Sequence, residues 1–241
     1  YALPAASDAC DGAVPVIAVD PGQAPESSFP IGTTTVLLRS TDASGNITEH
    51  SFTITVQDTQ APILTCPSDI STPVDAGICG AHIQYVMPTA MDNCATAIPV
   101  VNSDAAQASG SLFPAGSTTV QLEASDAAGN TGTCYFAITV IDDVAPGFTA
   151  PADTVVAADP GLCSAIVNYV MPTAADTCEG AVAVTAVNSG QAPGSSFPLG
   201  TTSVLLRATD AANNSTQHSF TITVVDQEPP TLVCPSDIST T

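Results

Sequence analysis

The sequence predicts an all-β chain built from tandem copies of one small sandwich domain, and three observations carry that prediction. Valine, threonine and isoleucine are abundant and are punctuated by twenty prolines and sixteen glycines, the composition of short strands joined by turns. Apolar and polar residues alternate with period two, while stripes at the helical period are scarce. The stretch FPIGTTTVLLRSTDASGN from Phe29 returns as FPAGSTTVQLEASDAAGN from Phe113 and as FPLGTTSVLLRATDAANN from Phe197, so the step from Phe29 to Phe113 equals the step from Phe113 to Phe197.

Tyr1, Tyr85 and Tyr169 keep the same interval, as do Asp42, Asp126 and Asp210. A repeat of this length exceeds a solenoid unit and is large enough for its own core. Junctions fall where a valine-rich strand ends in an acid and then a proline, in VQDTQAP from Val56, VIDDVAP from Val140 and VVDQEPP from Val224. The expected organisation is therefore 1–60, a domain lacking its first strand, then 61–144, 145–228, and 229–241 as the first strand of a following domain. Short, stiff junctions imply a rod-like array.

Within 61–144, the stretches Thr119 to Ala124 and Phe136 to Val140 alternate as half-buried strands. SDAAGN between them is a polar turn in which glycine or asparagine takes positive φ and Asp126 accepts backbone N–H bonds, so the three form a hairpin. Further apolar runs at Ile63 to Cys66, Ala81 to Val86, Ile98 to Asn102 and Leu112 to Phe113 bring the count to about seven strands, which suits an immunoglobulin-like sandwich. The buried tryptophan usual in that fold is missing, because the chain has none.

Twenty-three acids against two arginines give a formal net charge of −21, a surface that repels nucleic acid and anionic lipid. Charged residues are nevertheless only 10% of the chain and hydrophobic ones 44%, the balance of a packed protein and not of an acidic disordered tail. No apolar run reaches the roughly eighteen residues of a membrane-spanning helix. Eight cysteines without a C-x-x-C pair point to disulfides, an oxidising compartment and an extracellular or cell-surface location.

Stepping Cys66 and Cys134 by one interval gives Ala150 and His218, so both are lost together, as bonded partners would be. That pairs Cys66 with Cys134. Cys79 with Cys94, and Cys163 with Cys178, are separated by one and the same short step and are expected to pair if the chain doubles back near Met87-Pro88 and Met171-Pro172. A loop of this size stabilises by about 3 kcal/mol in the chain-entropy account. His50 and His218, like Cys66 and Cys234, stand two repeat intervals apart. The copies thus alternate between two types, and the histidines read as strand residues that replace a cysteine.

No serine sits in a G-x-S-x-G elbow, no lysine can serve as a nucleophile, and two of three histidines are one position in different copies, so the chain reads as non-catalytic. The recurring acids are more informative. Asp58, Asp92, Asp126, Asp142, Asp143, Asp176 and Asp210 converge, in an immunoglobulin topology, on the pole that meets the preceding junction. Asp142 and Asp143 would face Asp176 and Asp210 as an oxygen-rich site for calcium. The plainer reading, favoured because the spacing reproduces no dedicated calcium loop, is that the turn aspartates accept backbone N–H bonds and the junction acids are solvated. No cofactor is otherwise required. Asn46, Asn213 and Asn214 head glycosylation sequons in or beside the hairpin turns.

CPSDI from Cys66, PTAMDNC ending at Cys94, the stretch from Phe113 and CYFAITVID from Cys134 resemble the hyalin repeat, or HYR domain, over nearly the whole chain. The resemblance implies immunoglobulin-like sandwiches repeated in extracellular matrix proteins and bacterial surface adhesins. The expected role is a structural repeat region of a long extracellular fibre, stalk or adhesin. Its expected partners are further copies of the repeat, joined covalently or head to tail, and a cell-surface or matrix molecule. The alternatives are a module that binds a carbohydrate or protein receptor, or an accessory array of a secreted enzyme. Tyr1 aligns with Tyr85, and 229–241 repeats the sequence after Pro62. A longer covalent chain is therefore expected, with strand donation between subunits as the alternative.

Overall fold

A computed structural model describes every residue except Thr96, Pro235, Ile238, Thr240 and Thr241. Among the described residues the regular structure is β-strand with short 3-10 turns and no α-helix, and none of it is a helix long and apolar enough to cross a membrane. The chain divides into two compact units. One comprises Tyr1–Pro67, Val86–Asp104 and Gln121–Tyr135, and the other Ser68–Tyr85, Ala105–Val120 and Phe136–Thr241.

The thrice-repeated stretch forms the first arm of a long hairpin. Gly32–Thr41 pairs antiparallel with Ile47–Val56 from Gly32 opposite Val56 to Thr41 opposite Ile47. Gly200–Thr209 pairs with Ser215–Val225 in the same register, from Gly200 opposite Val224 to Thr209 opposite Ser215. Gly116–Ser125 and Thr131–Ile141 are neighbours in a third sheet. Each turn is closed by its own side chains: the Asp126 carboxylate accepts the Asn130 backbone N–H at 2.8 Å and the Asn130 amide at 2.8 Å. Gly129 sits at φ +90°, the left-handed conformation that costs glycine least.

In the second unit this hairpin is half of a sandwich. Its sheet runs in the order Thr154–Ala157, Ser215–Val225, Gly200–Thr209, Val184–Ala186. Val204, Leu206, Phe220, Ile222 and Val224 from one face pack against Ala165, Val167 and Phe197, which belong to the pair Ser164–Val167 and Ser195–Pro198. Period-two alternation explains why these side chains are buried and their neighbours are not. Tyr169 closes the core edge-on to Phe220, with ring centroids 5.0 Å apart, and its hydroxyl donates to the Gln191 carbonyl at 2.7 Å. Tyr85 repeats both contacts, with Phe136 and the Gln107 carbonyl.

In the first unit Val16–Ala18, Gly32–Thr41 and Ile47–Val56 form a three-stranded sheet, with Val36 and Leu38 buried. Ile63–Leu64 pairs with Ala90–Met91, and Val101–Asn102 with Leu122 and Glu123. The expected strands at Ile63 to Cys66, Ala81 to Val86 and Ile98 to Asn102 shrink to Ile63–Leu64, Gly80–His82 and Val101–Asn102. Ile98 instead makes a lone bridge to Ala90.

Sequence reasoning missed Ala90–Met91 and also Ile70–Pro73, which runs parallel to the end of the last strand, Ile70 beside Ile138 and Pro73 beside Ile141. Thr154–Ala157 does the same beside Ile222 to Val225. ISTP, with its serine, threonine and proline, has the composition of a connection. Its place is secured by the acid before it: Asp69 accepts the Ala137 N–H at 2.7 Å, and Asp153 the Thr221 N–H at 2.6 Å.

Cys66 is bonded to Cys134. The short-range pairings of Cys79 with Cys94 and Cys163 with Cys178 are not formed. Cys79 is bonded to Cys178, 99 residues away, and Cys94 and Cys163 are exposed thiols, as are Cys10 and Cys234. The reason is that the Met-Pro segments do not turn the chain back. Met171 and Pro172 carry it on from the pair Ser164–Val167 and Ser195–Pro198 to a separate pair, Ala174–Asp176 with Gly180–Val182. Cys79 and Cys94 fall in different units. Where the copy from 145 lacks Cys66 and Cys134, His218 stands edge-on to Phe148 at 5.0 Å, an aromatic contact in place of the covalent one.

Gly132 marks the closest backbone approach, since a Cβ built there would collide with the Pro62 carbonyl oxygen. Gly132→Ala is expected to destabilise the protein by about 1–3 kcal/mol, the usual cost of overpacking, read as a lower urea midpoint with unchanged slope. Equal midpoints for Gly132→Ala and the wild type would contradict this packing.

Candidate functional site

Two groups of side chains among the described residues bring metal-ligating atoms within 4.8 Å of one another: Asp58, Asp92 and Cys94, and Asp142, Asp176 and Cys178. The second is the first displaced by one interval. Each is assembled from the acid that follows a hairpin, the acid that precedes a cysteine, and that cysteine.

In the first group the Asp92 carboxylate accepts the Cys94 N–H at 2.9 Å through Oδ1, whereas its Oδ2 is buried with no partner. Asp58 accepts the Gln60 N–H at 3.1 Å, and its own carbonyl receives the Asn130 amide at 3.1 Å. A hollow of about 230 Å³ opens beside Asp58 and Cys94. Desolvation first, then the hydrogen bond to Asp58, push the Cys94 thiol above its usual range, with the negative potential of Asp58, Asp92 and Asp126 adding to the effect.

The second group is more enclosed. Asp176 and Asp210 are 8% and 6% exposed, the buried charged residues of the described chain. Asp176 Oδ1 accepts the N–H groups of Cys178 and Glu179 at 2.7 and 3.0 Å, and Oδ2 is buried without a partner. Asp210 accepts the Asn214 N–H at 2.7 Å and the Asn214 amide at 3.0 Å. The same amide donates to the Asp142 carbonyl at 3.0 Å, so one side chain ties the hairpin turn to the junction acid. Cys178 contributes no thiolate, being bonded to Cys79.

Of the acids singled out from sequence, the structure gathers Asp58 with Asp92 and Asp142 with Asp176. Asp126 and Asp210 are taken up by their own turns, and Asp143 is exposed outside the group. Sequence reasoning did not include Asn130 and took Asn214 only as a sequon, although their recurrence at one interval was the available signal. The sequon asparagines differ in availability: Asn46 and Asn213 are exposed, the amide of Asn46 resting on Asp42, while that of Asn214 is shared between Asp210 and Asp142. The histidines have structural neighbours. His50 lies opposite Leu38, His218 packs on Phe148, and the His82 ring and N–H both meet Asp75 Oδ2 at 2.9 Å.

The Asn130 amide holds the Asp126 carboxyl below its ordinary value of 3.8, outweighing the opposing desolvation, and backbone N–H groups of Asn130, Ala128 and Gly129 assist. A carboxylate whose folded pKa is depressed stabilises the fold above its unfolded pKa and loses that contribution as pH falls through the folded one. Acid titration of stability should therefore fall from about pH 3.8 downward, and Asp126→Asn should flatten that limb. An unchanged acid limb in the variant would assign it to other groups.

Comparison with known proteins supplies the family. The HYR domain model matches residues 1–56, 57–140 and 141–224. Hyalin of Strongylocentrotus purpuratus is 38% identical over 226 residues, covering 89% of this chain and 18% of that protein. Hyalin of Lytechinus variegatus is 36% identical over 238 residues, covering 95% of this chain and 44% of that protein, so the chain spans less than half of either relative. Among solved structures, mouse cadherin-23 EC22-24 aligns over 91% of this chain and 88% of its own, at 16% identity and a TM-score of 0.37. With the family's pattern found in each of three successive copies, and with the motifs at Cys66, Cys94, Phe113 and Cys134 falling inside those matches, the chain belongs to the HYR domain family.

Proposed function

We propose that the chain is a non-catalytic structural region of an extracellular or cell-surface fibre, stalk or adhesin, in which successive domains are joined by disulfides as well as by the peptide chain. The observation that supports this most is the bond between Cys79 and Cys178, which joins the second family match to the third. A disulfide of this kind persists in an oxidising compartment and gives tension a second covalent route from one domain to the next. The 36–38% identity to hyalins supports the same reading.

The partners in this proposal are further copies of the repeat. Cys94 holds the place of Cys178, and Cys163 that of Cys79, each one repeat interval away. Both are exposed thiols, the free halves of the same bond, available where another copy adjoins. A receptor-binding role has less to support it, because sugar platforms use exposed tryptophan or tyrosine. The exposed tyrosines are Tyr135 and Tyr1, and Tyr1 is packed edge-on to Phe52.

Stretching single molecules tests the mechanical role. The Cys79→Ser/Cys178→Ser variant should extend further than the oxidised wild type by about 100 Å, because the retained Cys66–Cys134 bond bypasses most of the released loop and only roughly 31 residues, at about 3.3–3.6 Å each, join the load path. Equal extension would remove the second route. Peptide mapping of native material should recover Cys94 and Cys163 each bonded to a cysteine of another copy, and recovery of Cys79–Cys94 would sink the proposal. Trypsin offers a further check. Arg39 and Arg207 lie within paired strands, so the folded protein should survive a digestion that cleaves the denatured chain at both, and rapid native cleavage would count against a resistant array.

A further inference from the structure

We infer that the chain binds a hard divalent cation of the calcium class, held by the carboxylates of Asp142 and Asp176, with a twin site at Asp58 and Asp92. The inference rests on unbalanced charge and an oxygen without a partner, and it stands apart from the structural role.

Asp176 is more than nine-tenths buried, and its Oδ2 has no hydrogen-bond partner although Oδ1 has two. Burying a carboxylate oxygen unpaired is costly, and native structures meet the cost with a hydrogen bond, an opposite charge or a metal. The usual organic remedy is absent by composition. Arg39 is committed to Glu49 at 2.6 Å, and Arg207 stands opposite Gln217 in the hairpin, whose amide, turned to present its oxygen, accepts from it at 3.0 and 2.8 Å. No lysine exists to take their place.

Ligand atoms of Asp142 and Asp176 lie within 4.8 Å of each other, and Asn214 fastens the Asp142 backbone to the buried Asp210. Negative charges collected this closely repel one another unless a cation enters between them. The same orphaned oxygen appears at Asp92, beside Asp58.

The donor chemistry selects the ion. Cys178 is in a disulfide, neither group includes an imidazole, and the atom left without a partner in each is a carboxylate oxygen, so the donors on offer are oxygens. Two carboxylates from separate segments, with water completing the shell, suit calcium, which accepts six to eight oxygens in loose geometry, better than zinc or copper. Because Asp142 lies between the strand Thr131–Ile141 and Gly147 while Asp176 ends the strand Ala174–Asp176, the bound ion would brace the junction segment against the loop that carries Cys178.

The test uses the whole chain, stripped with a chelator and titrated with calcium chloride in a calorimeter at physiological sodium chloride. Asp176→Asn keeps the oxygen that accepts the Cys178 and Glu179 N–H groups and removes only the charge of the orphan. It should weaken the Asp142 site by about tenfold or more, as loss of a charged ligand does, and leave the twin intact. Asp92→Asn should remove the twin, and the double variant should lose both together with the calcium-dependent rise in melting temperature. Asp143→Asn, the same charge change at an exposed neighbour, should bind like the wild type. No heat with the wild type, equal weakening by Asp143→Asn and Asp176→Asn, or a melting shift reproduced by sodium chloride at matched ionic strength would each overturn the inference.

Discussion

Each copy of the domain depends on one constraint: a hairpin whose first arm is ten residues long must cover one of its faces. Gly200–Thr209 and Ser215–Val225 alternate so regularly that Val204, Leu206, Ala208, Phe220, Ile222 and Val224 are buried on one side of the ribbon, while the other is mostly polar. An isolated hairpin is at best marginal in water. Phe197 and Val167 cover it in the copy matched over 141–224, and Tyr169 seals the end with its hydroxyl turned toward a carbonyl. The turn fixes register, and register decides which face is apolar. The Asp and Asn of the turn are thus as much a part of the core as the valines.

The hairpin, its turn and the recurring tyrosine were legible because each is carried by residues close in sequence or repeated at one interval. The pairing of Cys66 with Cys134 was legible through their joint replacement by Ala150 and His218. Ile70–Pro73 was not, because a parallel edge strand takes its stability from a distant neighbour, and its own composition is that of a connection. The partners of Cys79 and Cys178 were missed for a related reason. Proximity in sequence was taken for proximity in space, and Met171-Pro172, read as a bend that returns the chain, leads from one strand pair to another. At the acidic groups the residue types were readable but their division was not. Asp126 and Asp210 satisfy themselves locally through Asn130 and Asn214, and what remains for any ligand is the pair whose second member keeps an unused oxygen.

Electrostatics shapes the molecule as strongly as packing does. With a formal charge of −21, carboxylates must be neutralised by backbone N–H groups, by amides or by ions from solution. Asp69, Asp153, Asp126 and Asp210 follow the first two routes. This pattern explains why amide side chains recur beside acids at fixed spacing, and why the few cationic groups sit on exposed strand faces where their loss would cost little.

The bond between Cys79 and Cys178 has a consequence for growth by duplication. Its halves belong to different copies, one offered forward and one received from behind, so the unit is complementary to itself under translation and not under a two-fold rotation. Copying the unit in tandem creates donor and acceptor together, and the chemistry stays matched whatever the number of copies. A contact of the opposite kind, made face to face by identical patches, closes at two and stops. A head-to-tail bond has no such terminus, and a gene that lengthens by whole repeats keeps its cysteines in step without any further substitution.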